Sequence, residues 1–209
     1  MIEISNSGTF GWEAAVWGMR NPMNSWDKSD SEFGNEEYGN GYAFKLGQND
    51  LSLMRKLADG GPTHAKYRRM ITVHMDILAP LYWWKEFDTY KVGTVANSCS
   101  TMHKIHSKPF EISDFSTEHL ISENLDLLEQ VVERLNVYRD LYMKTKDKKY
   151  WWQLIQLLPS SYNQRRTIMT NYEVLHHIYY DREGHKLDEW REDFRNWIES
   201  LPYFDDIIR

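Results

Sequence analysis

Cysteine is nearly absent from this sequence: among 209 residues, Cys99 stands alone. One cysteine excludes a disulfide within the chain, which fits a reducing compartment. Long apolar runs are missing too, since none approaches the roughly 20 residues that cross a bilayer. The stretch from Met1 to Ile4 lacks the basic start and apolar core of a signal peptide. We therefore expect a soluble, cytoplasmic protein with no membrane partner.

The sequence also lacks an excess of positive charge. Lysine and arginine number 25 against 31 aspartates and glutamates, for a net charge of −6 and a pI near 5.8. Wrapping of duplex nucleic acid by phosphate neutralisation is therefore not expected, although a local basic pocket for one small phosphate stays open as an alternative. With 41% hydrophobic and 14% aromatic residues the chain can bury a core. We predict one domain over residues 1–209, with two lobes as the alternative.

Regular hydrophobic spacing predicts most of the secondary structure. Apolar and polar residues alternate over residues 71–77, the pattern of a half-buried strand, and Pro80 is predicted to start a helix that runs through Phe87. Apolar side chains recur every three or four positions over residues 122–144, which predicts a long core helix. Further strands are predicted over residues 2–4 and 162–169, and further helices over residues 12–19, 50–59, 150–157, 172–180 and 187–200. This mixed order of elements favours an α+β fold.

Residues 21–49 show no regular pattern and are rich in Asn, Gly, Ser, Asp and Glu. A loop of this length is too long to be a plain connection in a compact domain, so it is either mobile or a lid over a site. The helix predicted after the loop starts with Asp50, a residue placed to cap its N-terminus.

Two stretches of the chain carry the most functional information. The first contains Ala79-Pro80, Tyr82-Trp83-Trp84, Thr89-Tyr90-Lys91 and, after seven further residues, Cys99 between Ser98 and Ser100. The second contains Leu158-Pro159, Thr170-Asn171, a predicted helix, Arg182 and His185. In order and spacing these stretches resemble the two signature regions of the flavin-dependent thymidylate synthases, the ThyX family. The similarity spans about residues 51–190.

The resemblance implies a ThyX-like α+β fold with a central antiparallel sheet and long helices. It implies FAD as cofactor, a pyrimidine nucleotide such as dUMP as substrate, and reductive methylation of the base at C5, with NADPH and methylenetetrahydrofolate as further reactants. It also implies a homotetramer with sites between the chains. No catalytic residue is assigned. The cofactor-binding residues that it implies are Tyr90, Lys91, Asn171 and His177. The substrate-binding residues that it implies are Lys91, Asn97, Ser100 and Arg182.

The first stretch departs from the family pattern at the position of an Arg-His-Arg motif. This chain has Thr89-Tyr90-Lys91 there, so only Lys91 keeps a positive charge. Guanidinium groups form two-pronged hydrogen bonds to phosphate, which Thr89 and Tyr90 cannot reproduce. Thr101 or Met102 stands where the family has a loop arginine. The candidate substitutes for these cations are Lys85, Lys104 and Arg182.

Three interpretations of function therefore stay open. The chain is a divergent enzyme of this family, a non-catalytic nucleotide-binding or scaffold protein on the same fold, or a partner-binding protein with an aromatic surface. The paired tryptophans Trp83-Trp84 and Trp151-Trp152 fit the last interpretation, or plain core and interface packing.

Two further groups of side chains have alternative interpretations. Cys99 is either a nucleophile activated by Lys91 or His103, or an inert small residue. The neighbouring residues His176 and His177 point about 100° apart on a helix, so no metal site is expected.

Overall fold

In the computed structural model, which describes residues 2–38 and 41–209 and the side chains of residues 2–34 and 44–209, helices and strands follow one another in irregular order. The strands are β1 (Glu3–Phe10), β2 (Glu32–Tyr38), β3 (Gly41–Lys45), β4 (Thr72–Pro80), β5 (Val95–Ser98) and β6 (Asn163–Asn171). The helices are α1 (Trp12–Arg20), α2 (Gln48–Asp59), α3 (Leu81–Phe87), α4 (Ser122–Thr145), α5 (Lys148–Leu157), α6 (Tyr172–Asp181), α7 (Arg195–Glu199) and α8 (Phe204–Ile207). The predicted α+β class is confirmed.

Strands β1, β4, β6 and β5 form one antiparallel sheet in that order. Strands β2 and β3 pair separately as an antiparallel hairpin, with Glu32 opposite Lys45. The strand predicted over residues 71–77 is confirmed as β4, and the long helix predicted over residues 122–144 is confirmed as α4. Within the described ranges, no helix is long and apolar enough to span a membrane.

The chain divides into two compact units. The first, here called the α4 unit, contains the residues up to Glu3 together with Leu78–Thr89 and Asn97–Arg166. The second, here called the α6 unit, contains Ile4–Ile77, Tyr90–Ala96 and Thr167–Arg209.

In the α4 unit, the core forms where helix α4 packs on α5. Its buried apolar side chains are Ile105, Phe110, Phe115, Leu128, Val132, Leu135 and Leu154. Trp83 and Trp84 are fully buried in the same unit, with ring centroids 4.9 Å apart, and Trp84 Nε1 donates a hydrogen bond to the Gln164 carbonyl at 2.9 Å. The pair at 83–84 is therefore core packing, whereas Trp152 is exposed.

In the α6 unit, aromatic rings form much of the core around Trp12. The Trp12 ring stacks on Phe44 with centroids 4.4 Å apart and meets Tyr172 edge-on at 5.3 Å. The Trp12 Nε1 group donates a hydrogen bond to Thr9 Oγ1 at 2.9 Å, so the buried indole is satisfied.

The predicted cap of helix α2 is wrong. Asp50 lies inside the helix, fully buried, and accepts a 2.6 Å hydrogen bond from Arg20 Nε. The Asp30 carboxylate instead accepts hydrogen bonds from the Asn49 and Asp50 backbone N–H groups, at 3.0 and 3.2 Å. Asp50 thus lies in the first turn of α2, where its carboxylate pairs with the buried Arg20 and does not cap the helix.

The expectation of one long loop over residues 21–49 is also wrong. Short 3₁₀ turns occupy Asn21–Met23 and Trp26–Lys28, and the β2–β3 hairpin follows. Residues 39 and 40 of the predicted loop lie outside the described residues. The polar composition of this segment gives no sign of the hairpin. Its two strands pair through backbone hydrogen bonds, which do not require apolar and polar residues to alternate along the sequence.

Two helix boundaries differ from the prediction. Pro80 is the last residue of β4, with ψ of 152°, and helix α3 begins after it at Leu81. The single helix expected over residues 187–200 contains a π-helical turn, Glu189–Phe194, before α7. Trp190 and Phe194 in this turn are fully buried. The predicted apolar face of the helix is therefore present, although the π-helical turn makes the helix wider there.

Candidate functional site

The α6 unit contains a cavity of about 350 Å³ beside the start of helix α6, here called the α6 cavity. Its lining residues are Arg69, Val92, Gly93, Asn171, Glu173, Val174 and His177. Asn171 ends strand β6 and caps the helix, because its Oδ1 accepts a hydrogen bond from Val174 N at 3.0 Å. The cap fixes the Asn171 side chain, whose Nδ2 lies 3.5 Å from the Gly93 carbonyl oxygen.

Gly93 allows the chain to approach Asn171 closely. Its φ angle is +81°, and a Cβ atom there would lie 2.8 Å from Asn171 Nδ2 and 3.2 Å from Val174 Cγ2. A side chain at this position is therefore disfavoured both by backbone strain and by contact with Asn171. At Gly93 the wall of the α6 cavity therefore consists of backbone atoms only.

A buried carboxylate forms another part of the wall. Glu173 is 5% exposed, and its Oε1 lies 3.4 Å from His177 Nε2, one helical turn further on. Its Oε2 lies 3.8 Å from Arg68 Nη1, beyond hydrogen-bond distance. The His177 side chain is 55% exposed, so its imidazole is held by Glu173 and still reaches solvent.

Arg182 and Tyr90, also in the α6 unit, contact each other directly. Arg182 Nε donates a 2.7 Å hydrogen bond to Tyr90 Oη, and its guanidinium carbon lies 5.1 Å from the Tyr90 ring centroid. The same guanidinium lies 5.3 Å from the Trp190 ring centroid. These are cation–π contacts on a half-buried arginine.

The α4 unit contains a second cavity, of about 570 Å³, here called the α4 cavity. Its lining residues are Leu78, Cys99, Ser100, Thr101, Lys104, Ile105, Ser107, Lys108, Asp114, Tyr162, Asn163, Gln164 and Arg165. Cys99 N donates to the Arg165 carbonyl at 2.9 Å, and Gln164 Nε2 donates to the Cys99 carbonyl at 2.6 Å. These bonds hold the end of β5 against β6, while Cys99 itself is exposed.

Ser100 starts a tight turn at the edge of the α4 cavity. Its Oγ accepts hydrogen bonds from the backbone N–H groups of Met102 at 3.2 Å and His103 at 2.8 Å. Serine commonly forms such local side-chain to backbone bonds. The turn places Thr101 and Lys104 along the same wall.

The residues predicted from the sequence fall into separate places. Asn171 and His177 line the α6 cavity together, and Ser100 lines the α4 cavity. Tyr90 and Arg182 form the pair described above. Lys91 and Asn97 are exposed and line neither cavity.

Several cavity residues escaped the sequence interpretation, above all Arg165. Alternate residues of a strand face opposite sides, and Arg166 next to it pairs with Asp88 at 2.7 Å and stacks over the Trp84 ring at 4.3 Å. The signal available in the sequence was the pair Arg165-Arg166 within a predicted strand. Because adjacent strand residues face opposite sides, the two arginines could not both contact the same partners.

No group of three His, Cys, Asp or Glu side chains in the described part of the chain is placed to hold a metal ion. His176 contacts the backbone instead, with Nδ1 2.6 Å from the Ile208 carbonyl oxygen. Burial lowers the pKa of His176. The ring is therefore neutral at pH 7 and serves to hold the C-terminal segment.

Comparison with known proteins finds similar solved structures but no similar sequence. The sequence matches no protein-family model and no curated protein. Thymidylate synthase X (ThyX) from Helicobacter pylori, crystallised with FAD and dUMP, matches with a TM-score of 0.69 and 16% identity over 100% of this chain and 97% of that one. A second structure of the Helicobacter pylori enzyme, also with FAD and dUMP, gives a TM-score of 0.67 and 16% identity over 99% and 97%.

A more distant likeness is the UMP/dUMP methylase PolB from Streptomyces cacaoi, solved with 5-Br dUMP. It gives a TM-score of 0.52 and 13% identity over 86% of this chain and 76% of that one. Identities this low carry the backbone architecture and not the chemistry of individual side chains. The resemblance seen in the two sequence stretches is thus matched along the whole chain, which has the fold of the flavin-dependent thymidylate synthases.

Proposed function

We propose that this protein binds FAD and a pyrimidine nucleotide of the dUMP type. One observation carries the proposal: Asn171 and His177, which the family resemblance implies as cofactor-binding residues, line a single cavity in the α6 unit. The chain also has the fold of proteins crystallised with FAD and dUMP.

The chemistry of the α6 cavity fits part of a flavin dinucleotide. Asn171 offers an amide, His177 an imidazole, and Arg69 an exposed guanidinium at the same cavity. An amide and an imidazole suit the polar edge of a ring or ribose, and a guanidinium suits a pyrophosphate. Gly93 lines the same cavity and lets the backbone lie close against Asn171. Tyr90 and Lys91, assigned to the cofactor with them, belong to the same proposal.

The nucleotide is assigned to Lys91, Asn97, Ser100 and Arg182. In the catalytic form of the proposal, the product is a pyrimidine nucleotide methylated at C5, with the carbon from methylenetetrahydrofolate and reducing equivalents from NADPH. Bound FAD supplies hydride transfer to such a reaction. The active protein in this form is a cytoplasmic homotetramer.

A second candidate function is nucleotide binding without catalysis, on the same fold. The observation that favours it is the state of the Thr89-Tyr90-Lys91 segment. Thr89 Oγ1 donates a 2.7 Å hydrogen bond to the Glu86 carbonyl, and Tyr90 contacts Arg182. Neither side chain supplies the two-pronged phosphate contacts of an arginine.

The first experiment is the visible absorbance spectrum of the purified protein, before and after FAD is added and the excess removed. A retained oxidised-flavin spectrum supports the proposal, whereas a colourless protein that rejects FAD overturns its flavin part. The next measurement is NADPH oxidation with and without dUMP or UMP. Oxidation stimulated by nucleotide supports the enzyme, and nucleotide binding without oxidation supports the second candidate.

A further inference from the structure

The α6 unit contains a further cavity, of about 360 Å³, beside the first turn of helix α1, here called the α1 cavity. Its lining residues are Thr9, Phe10, Gly11, Trp12, Glu13, Ala14, Phe33, Gly34 and Phe44. None of them lines the α6 cavity. The volume lies at the small end of the range of about 300–1,000 Å³ that is usual for ligand pockets. The α1 cavity can therefore hold a small molecule, separately from the residues assigned to FAD.

Four aromatic side chains from different segments line the α1 cavity. Phe33 and Phe44 lie directly opposite each other on β2 and β3, and opposite residues of an antiparallel pair point to the same face. Trp12, at the start of α1, stacks on Phe44 with ring centroids 4.4 Å apart. Phe10 is the last residue of β1. The hairpin, the helix and the strand thus each bring aromatic surface to one concave site.

Two of these rings are held in place by the fold itself. Trp12 is 4% exposed, and its Nε1 donates a hydrogen bond to Thr9 Oγ1 at 2.9 Å. The Phe10 ring lies against His74, with ring centroids 5.0 Å apart. Side chains that are already fixed lose little freedom when a ligand binds, so the aromatic wall is preorganised.

The charge of the lining is negative. Glu13 is exposed and is the one ionisable side chain among the described lining residues, which include no lysine, arginine or histidine. Aromatic rings attract a cation through the negative charge of their faces, and a carboxylate attracts it directly. The described lining is therefore complementary to a small cation.

We infer that the α1 cavity binds the quaternary ammonium group of a small soluble molecule of the choline type, with Phe10, Phe33 and Phe44 as ring faces and Glu13 as the counter-charge. A primary ammonium group brings three N–H donors that each need an acceptor. A fully methylated nitrogen has no N–H group, and contact with aromatic faces suits its methyl groups. The mainly aromatic lining therefore selects the methylated cation.

An aromatic carboxylate is the competing ligand, because the N-terminus of α1 and its partial positive charge lie at the same cavity. Glu13 decides against it. Its carboxylate lies in the first turn of α1, where it offsets the positive end of the helix and would repel a second carboxylate. Such a ligand would also meet no cationic side chain among the described lining residues.

The test is isothermal titration of the full-length protein with tetramethylammonium, choline, benzoate and the uncharged carbon analogue of choline, which has a tert-butyl group in place of trimethylammonium. Choline should bind about tenfold more tightly than its carbon analogue, because only the cation is attracted by the ring faces. The analogue has nearly the same shape, so the comparison isolates the charge.

Two variants test the residues. Glu13→Gln removes the charge, and Phe33→Leu removes a ring face but keeps an apolar side chain; each should weaken choline binding about fivefold. Phe33→Tyr should keep the affinity, since it keeps the ring. Asp59→Asn, which changes an exposed carboxylate of the same unit outside the cavity, is the matched control. Because Glu13 is exposed and Phe33 is half-buried, both variants should melt at nearly the wild-type temperature by circular dichroism.

Each outcome decides the inference. Equal binding of choline and its carbon analogue overturns it, as does unchanged choline affinity in both variants. Tighter binding of benzoate than of choline overturns the choice of a cation. Binding to phosphatidylcholine vesicles without binding to free choline overturns the choice of a soluble ligand. FAD retention is measured on the same samples, and loss of choline affinity in Glu13→Gln with FAD binding unchanged supports a separate site.

Discussion

Arg182 and Tyr90 lie 92 positions apart and are joined by a 2.7 Å hydrogen bond from Arg182 Nε to Tyr90 Oη. Both residues lie in the two signature stretches. The family resemblance implies that Arg182 binds the nucleotide and that Tyr90 binds the flavin. Since Tyr90 stands where the family has an arginine-rich motif, a neutral ring covers a cation at this point. The Thr89-Tyr90-Lys91 segment therefore places a neutral ring against Arg182, and Lys91 is its one cationic side chain.

We predict that Arg182→Ala weakens dUMP or UMP binding more than tenfold, because a charged hydrogen bond to the ligand is worth roughly 1.5–3 kcal/mol. Lys186→Ala, which removes an exposed cation of the same unit, is the control. Affinities from isothermal titration decide the matter. Equal affinities in the wild type and Arg182→Ala would remove this arginine from the nucleotide site.

His177→Ala should lower FAD affinity several-fold with little change in the melting temperature. The side chain is 55% exposed, so its removal leaves no cavity in the core. FAD affinity is measured by the quenching of flavin fluorescence, and the melting temperature by circular dichroism. His74→Ala, an exposed histidine of β4 outside the cavity, is the control. Identical FAD affinity in both variants contradicts the assignment of His177.

Gly93→Ala should destabilise the protein and weaken FAD binding, because the new Cβ would lie 2.8 Å from Asn171 Nδ2. The positive φ angle alone costs about 1–2 kcal/mol. Gly61→Ala separates the two effects, since Gly61 has a φ of +87° with no atom within 4 Å of the added Cβ. We expect Gly93→Ala to have the larger effect on unfolding by urea and a selective effect on FAD. Equal effects of the two substitutions would show that the Asn171 contact does not matter.

The buried ion pair of Asp50 and Arg20 should dominate acid sensitivity in the α6 unit. Burial alone raises the pKa of Asp50, but hydrogen bonds from the side chains of Ser31, Ser29 and Arg20 outweigh it and lower the pKa below 3.8. A carboxylate with a lower pKa in the folded state stabilises the fold above the unfolded-state pKa, near 4. That contribution is lost as the pH falls through the folded-state pKa.

Asp50→Asn should cost about 3–5 kcal/mol at pH 7, because it leaves Arg20 buried without its charged partner. Urea unfolding between pH 7 and pH 3 measures both effects. The wild type should lose stability below about pH 4, and the variant should lack that component. Asp27→Asn, which changes an exposed carboxylate, serves as control. A variant with the acid sensitivity of the wild type would refute this account.

Residue spacing predicted the elements that have a strong period. Helix α4 and strand β4 were predicted within a few residues, because each buries one face and repeats apolar residues at the matching interval. The family resemblance implied Asn171 and His177 as site residues, and Asn171 caps the helix that contains His177, so local structure alone keeps them close together. The hairpin over β2 and β3 was missed, because its composition is polar and its pairing is made by backbone hydrogen bonds.

Pairings between distant segments were not predictable in the same way. The sequence predicts Asp50 as a helix cap, whereas in the fold its carboxylate pairs with Arg20, 30 positions away. Arg165 joined Lys104 in one cavity only through the pairing of β5 with β6. The amino-acid sequence determined the elements, their order and the family-like spacing, because those depend on neighbours along the chain. The tertiary structure decided which charges meet, since burial and charge pairing depend on packing between segments that no single period describes.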